Sequence, residues 1–117
     1  MTDLFISIGY YALFAAGSTY LLWLFYLAVM SLAHAQQAGT LTTTAKVLGT
    51  PILFIGLLID FVVNVFVMTV LLLELPQETT VTARLKRHNR KGSGWRQKFA
   101  KWFEPILDPY DPTGDHI

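Results

Sequence analysis

Two long apolar runs leave this chain little choice of fold. Leu4 to Ala33 contains no Asp, Glu, Lys or Arg, and between Lys46 and Glu74 the only charged residue is Asp60. About 20 apolar residues carry a helix across a bilayer, so each run is long enough to span. The alternative is a soluble pair of core helices. Two helices apolar on every side leave too little remaining chain to cover them, which disfavours it.

A cleaved signal peptide is the other competitor for the first run. It wants a basic start and a shorter apolar core. The start here, "MTDLF", is acidic, and the run is too long, although "AHAQQ" after Leu32 imitates a cleavage site. The second run, Val47 to Leu75, has "GTP" at Gly49–Pro51 as its expected helix start. Thr50 would cap, Pro51 would occupy the first turn, and Pro76 would end the helix. The expected class is therefore all-α: a two-span antiparallel transmembrane hairpin over 1–76, with spans of about 4–33 and 47–75. A basic, amphipathic tail over 77–117 follows, with short helices expected at about 78–90 and 94–106.

Charge sets the expected orientation. The linker "HAQQAGTLTTTAK" carries one Lys, whereas eight of the nine Lys and Arg residues fall between Arg84 and Lys101. Basic segments stay in the cytoplasm. Both ends are thus expected inside an inner (cytoplasmic) membrane, with Gln36–Ala45 outside. Cysteine is absent, which removes disulfides, thiolate metal sites and cysteine nucleophiles.

Asp60 is the feature that needs explaining. An Asp at a helix centre costs about 2.5–3.5 kcal/mol on the insertion scale, while each Leu, Ile, Phe or Val returns about 0.3–0.6. The window Ile52–Val70 holds 14 such residues. They return roughly 6 kcal/mol, so insertion still wins. Gly56, Asp60 and Asn64 recur every fourth residue and share one face. The first run has one matching stretch, "AAGSTY" at Ala15–Tyr20. In an antiparallel pair it would meet Asp60 at similar depth. Gly17 would let the backbones approach, and Ser18 or Thr19 would hydrogen-bond the carboxyl, with Tyr11 and Tyr20 as further donors. Three readings stay open: a neutral packing device within the hairpin or between copies, a titrating or cation-binding site, and a salt bridge to another subunit. The proton-carrying ring subunit of rotary ATP synthases shares the outline of a small hairpin with a carboxyl in its second helix. The glycine repeat and the short polar-basic loop are missing here, and a long basic tail is added.

In the tail, Trp95, Phe99, Trp102, Phe103 and Ile106 fall on one helical face, with Arg96, Lys98 and Lys101 on others. This pattern suits a helix lying in the membrane interface on anionic lipid head groups. The alternative is a helix packed on the hairpin or on a partner. Nucleic-acid binding is not expected. "DPYDPTGDHI" lacks the alternating ligands of an EF-hand and reads as two Asp-Pro turns. His34 and His116 are isolated, and no metal site or cofactor is expected.

"TARLKRH", "GWRQKFAKWF" and "LDPYDPTGDHI" occur in an order that resembles the tails of small membrane proteins of phages and prophages. The resemblance covers about a third of the chain. It implies a mobile-element origin and transfers no activity and no catalytic residue.

No catalytic pattern is visible, and an aspartyl intramembrane protease would need a second membrane carboxylate. The expectation is a non-enzymatic membrane protein acting through assembly with itself or with another membrane protein, such as a phage accessory or exclusion factor. A holin-like pore former and a structural subunit of a larger membrane complex are the alternatives.

Overall fold

A computed structural model describes all 117 residues. It is helical throughout, without a strand. Helix α1 spans Thr2–Gln37 and fully buries none of its residues. At about 1.5 Å per residue, its 36 residues account for the 56 Å long axis of the molecule. After a turn through Gly39, whose φ of 73° is left-handed, a second long helix runs over Thr43–Leu72. It consists of α2 (Thr43–Val62), a π-helical turn (Val63–Met68) and α3 (Thr69–Leu72). Both long helices have the length and apolar composition to cross a membrane.

The second helix begins eight residues before the expected start, its cap at Thr42 rather than Thr50. Thr42 is the cap, its hydroxyl accepting from the Ala45 N–H at 3.1 Å. Pro51 therefore lies inside the helix rather than in its first turn, and the Thr50 hydroxyl donates to the Lys46 carbonyl at 2.8 Å. Gly49 serves packing: a Cβ there would lie 2.7 Å from Leu32 Cδ1. The expected close approach at Gly17 does not occur, since nothing would lie within 4 Å of a Cβ there. Along the pair, Leu32 meets Gly49, Phe25 meets Gly56 and the Tyr11 hydroxyl donates to the Phe66 carbonyl.

The helix also ends earlier than Pro76 implies. Leu73 adopts φ 52° and ψ 43°, a left-handed stop after Leu72. The exposed carbonyls find tail arginines: Arg96 donates to Leu72 O at 2.9 Å and to Leu73 O at 3.4 Å. Cationic donors at a helix C-terminus satisfy its orphan carbonyls and oppose its dipole.

The tail then forms α4 (Val81–Lys91) and α5 (Gly94–Leu107), followed by a 3-10 turn at Asp108–Tyr110. Thr80 caps α4, accepting from the Ala83 N–H at 3.1 Å. The tail does not lie apart from the apolar helices. Val63, Val67, Met68 and Leu72 form one buried cluster with Leu85, Ala100 and Ile117. The stretches 1–76 and 77–117 thus share a core.

Candidate functional site

The Gly56–Asp60–Asn64 face of the second helix is where the chain concentrates its buried polar chemistry. The side-chain hydrogen-bond partners of Asp60 and Asn64 come from the tail, not from α1. Asp60 Oδ1 accepts from the Val81 N–H at 2.6 Å, at the start of α4. The positive end of the α4 dipole therefore faces the carboxyl. The expected donors point elsewhere: Ser18 donates to the Ala15 carbonyl of its own helix at 3.3 Å, and Tyr11 to Phe66. Thr19 lies beside the same cavity as Asp60 without a hydrogen bond to it. Gly56 is buried against Phe25, whose Cβ would be 3.5 Å from a Cβ placed there.

One turn on, Asn64 is fully buried, and its side-chain amide donates to the Glu78 carbonyl. Asn64 is also the second residue of the π-helical turn. A π turn shifts the backbone register and recurs at functional sites. Here the Asn64 carbonyl accepts from Arg84 Nη1 at 2.7 Å and from the Thr69 hydroxyl at 3.4 Å.

Arg84 is the residue that sequence reasoning missed. In the sequence it looks like one of several tail cations, yet its side chain is 0% exposed. Its guanidinium reaches Asn64 Oδ1 at 3.3 Å, Thr69 Oγ1 at 3.2 Å, Glu74 Oε1 at 3.2 Å and the Glu74 carbonyl at 2.8 Å. Glu74 Oε1 also accepts from Arg87 Nη2 at 2.8 Å and lies 2.6 Å from His88 Nε2. Arg87 pairs with Glu78 as well. A rigid fork of five donors suits such a site, and a lysine ammonium does not. No sequence spacing links residues 64, 74 and 84. Only the reversal of the chain after Leu73 brings them together.

The aromatic residues of α5 divide between two sides. Trp95 is 49% and Trp102 64% exposed, and Lys98 and Lys101 are exposed with them. Phe99 and Phe103 turn inward onto the core around buried Ala100. The single interfacial face expected from the spacing is therefore not presented. Packing on the second helix takes the phenylalanines, and Arg96 leaves the basic face to cap Leu72.

The last residues close the arrangement. Asp108 Oδ1 accepts the N–H groups of His116 and Ile117 at 2.8 and 3.1 Å. His116 sits between Asp111 Oδ2 at 2.9 Å and Thr82 Oγ1 at 3.0 Å. His34 Nε2 meets the Tyr110 carbonyl at 2.8 Å, and the Trp23 ring meets Tyr110 edge-on at 5.6 Å. Neither histidine is isolated in the fold. Both hold the final segment in place.

Between the two long helices, α4, α5 and this segment lies a cavity of about 350 Å³, lined by 19 residues of which 13 are hydrophobic. Asp60 and His116 are on its wall. Compared with known protein families, curated protein sequences and solved structures, the chain matches none.

Proposed function

We propose that this is a small non-enzymatic protein of the inner (cytoplasmic) membrane, a two-span hairpin with both ends cytoplasmic, acting through assembly with itself or with another membrane protein. The observation that carries the reading is the apolar surface left uncovered. Leu4, Phe5, Leu13 and Phe14 on α1 and Phe54, Leu58 and Phe61 on α2 are all at least 44% exposed. Soluble monomers rarely expose contiguous apolar patches larger than a few hundred Å², and lipid is the solvent that suits such a surface. Assembly is supported by a shallow groove where Ala12, Ala15, Ala16 and Thr19 of α1 flank Val67 and Leu71. Small residues let a further helix approach closely in hydrocarbon.

The phage-type accessory or exclusion role rests on the order of the tail segments. A holin-like pore former shares the two apolar helices and a charged tail. A tail folded onto the second helix counts against it, because that mode of action favours short, unstructured tails. A subunit of a larger membrane complex fits the uncovered surface equally well. Induced expression in a bacterium with formaldehyde crosslinking, which acts on the native lysines, separates these readings. Discrete homo- or hetero-oligomers without timed lysis are expected, and abrupt lysis at a fixed time after induction would move the assignment to the pore former.

A further inference from the structure

The cavity beside Asp60 has a chemistry that the assembly reading does not use. Oδ1 of Asp60 is taken by the Val81 N–H, and no other hydrogen bond reaches the carboxyl. The second oxygen is not among the fully enclosed unpartnered atoms, of which the chain has only Asn89 Oδ1. It is therefore not sealed from open space, and Asp60 is on the cavity wall. No lysine or arginine lines that cavity. The one imidazole there, His116, is committed to Asp111 and Thr82. Most of the remaining wall is apolar, with Phe25, Met30, Leu53, Leu57, Phe103 and Leu107 among its residues. The volume of about 350 Å³ falls at the small end of the range for ligand pockets.

We propose that this cavity binds a single-chain amphiphile with a primary ammonium head group, the head on Asp60 and the alkyl chain between Phe25 and Leu107. An ammonium supplies the donors that the free carboxyl oxygen lacks, and a charge-assisted hydrogen bond is roughly twice as strong as a neutral one. A fatty carboxylate would set like charges together with no basic residue to relieve them. A phosphoethanolamine lipid brings a phosphate that finds no cation on the wall. The walls come from both the long helices and the tail, so an occupant stabilises the docked tail by mass action. This inference rests on the cavity alone and holds whether or not the protein assembles.

The test uses the full chain in non-ionic micelles with Trp95 and Trp102 replaced by phenylalanine, so that Trp23, on the cavity wall, is the sole indole. Chain-brominated dodecylamine, dodecanol and dodecanoic acid are titrated, and quenching is read. Saturable quenching by the amine, at least tenfold tighter than by the alcohol and with the acid weakest, is expected. Asp60→Asn should abolish the amine's advantage and leave the alcohol unchanged. Val29→Phe, which narrows the apolar part without touching Asp60, should weaken all the probes that bind. Equal, non-saturating quenching by the three, an amine advantage that survives Asp60→Asn, or indifference to Val29→Phe in a variant with unchanged circular dichroism would overturn the assignment.

Discussion

Arg84 and Asp60 show how single side chains hold the tail to an apolar helix. A fully buried guanidinium is tolerable only when nearly every donor is used, and Arg84 uses them on Asn64, Thr69 and Glu74. Removing one partner of a buried pair costs about 3–5 kcal/mol, because the other is left uncompensated. Glu74 keeps Arg87 and His88, which places Arg84→Ala at the lower end, about 3 kcal/mol. Urea unfolding in micelles should show this loss, together with rapid trypsin cleavage of the tail. Arg84→Lys should rescue little, since one ammonium cannot reach Asn64 and Glu74 together. Wild-type resistance in Arg84→Ala would mean that the cluster does not hold the tail. Asp60 offers a graded comparison. Asp60→Asn keeps an acceptor for the Val81 N–H and should dock normally. Asp60→Leu leaves that N–H unpaired at the start of α4 and should cost about 1–2 kcal/mol, read in the same unfolding assay. Equal stability of the two variants would show that this hydrogen bond contributes nothing.

At the scale of elements, the two apolar helices are legible in the sequence because length and absence of charge are local properties. The tail helices were expected at about 78–90 and 94–106; α4 starts three residues later, at Val81–Lys91, and α5 lies at Gly94–Leu107. The start of the second helix was misread because Thr-Pro at residues 50–51 and Thr-Thr at 42–43 are both acceptable openings. In the structure the longer helix is capped by Thr42 and packs Gly49 against Leu32. The polar face at Gly56, Asp60 and Asn64 was also legible, but its partners were not. A helix period identifies which residues share a side and cannot say what covers it. The C-terminal segment makes the same point, since its Asp-Pro turns were readable and its docking on Trp23 and His34 was not. Here the Asp111 carboxyl is held down to about 2 by the hydrogen bond with His116 and by the Thr113 hydroxyl and N–H. Its ordinary value is 3.8. A depressed carboxylate contributes its full stability above the unfolded value and loses it as pH falls through the folded one. At about 1.4 kcal/mol per pH unit, the contribution is on the order of 2 kcal/mol. Trp23 emission should therefore change between about pH 4 and pH 2 as Tyr110 lifts away. Asp111→Asn should remove that transition, and a titration that persists in the variant would assign it to another carboxyl.

For the whole molecule, docking of the tail and burial of both long helices in lipid compete for the same flank. Helix α5 runs from Arg96, at the end of the second helix, to Leu107, whose carbonyl accepts from the Tyr26 hydroxyl on α1. Lys98 and Lys101 point outward from it. A bilayer covering the full length of the helix pair would cover these lysines too, at about 2.5–3.5 kcal/mol each near the centre. A tail released to the cytoplasmic side recovers that cost. It also frees Phe99 and Phe103 to join Trp95 and Trp102 on anionic head groups, where each nearby basic residue contributes about 1 kcal/mol. The expectation is that the tail is docked in micelles and released in anionic bilayers. The chain has no native cysteine, so Trp23→Cys with Tyr110→Cys gives a clean pair for a short bismaleimide. Crosslinking should be efficient in micelles and fall several-fold in phosphatidylglycerol vesicles. On intact cells an impermeant maleimide should then label a single cysteine at Thr40 and not one at Ser93, which reacts only after lysis. Undiminished crosslinking in vesicles, with Thr40 and Ser93 accessible from the same side, would mean that the two helices do not span. The protein would instead lie on one leaflet, its uncovered apolar face in the lipid and its tail, still docked, toward water.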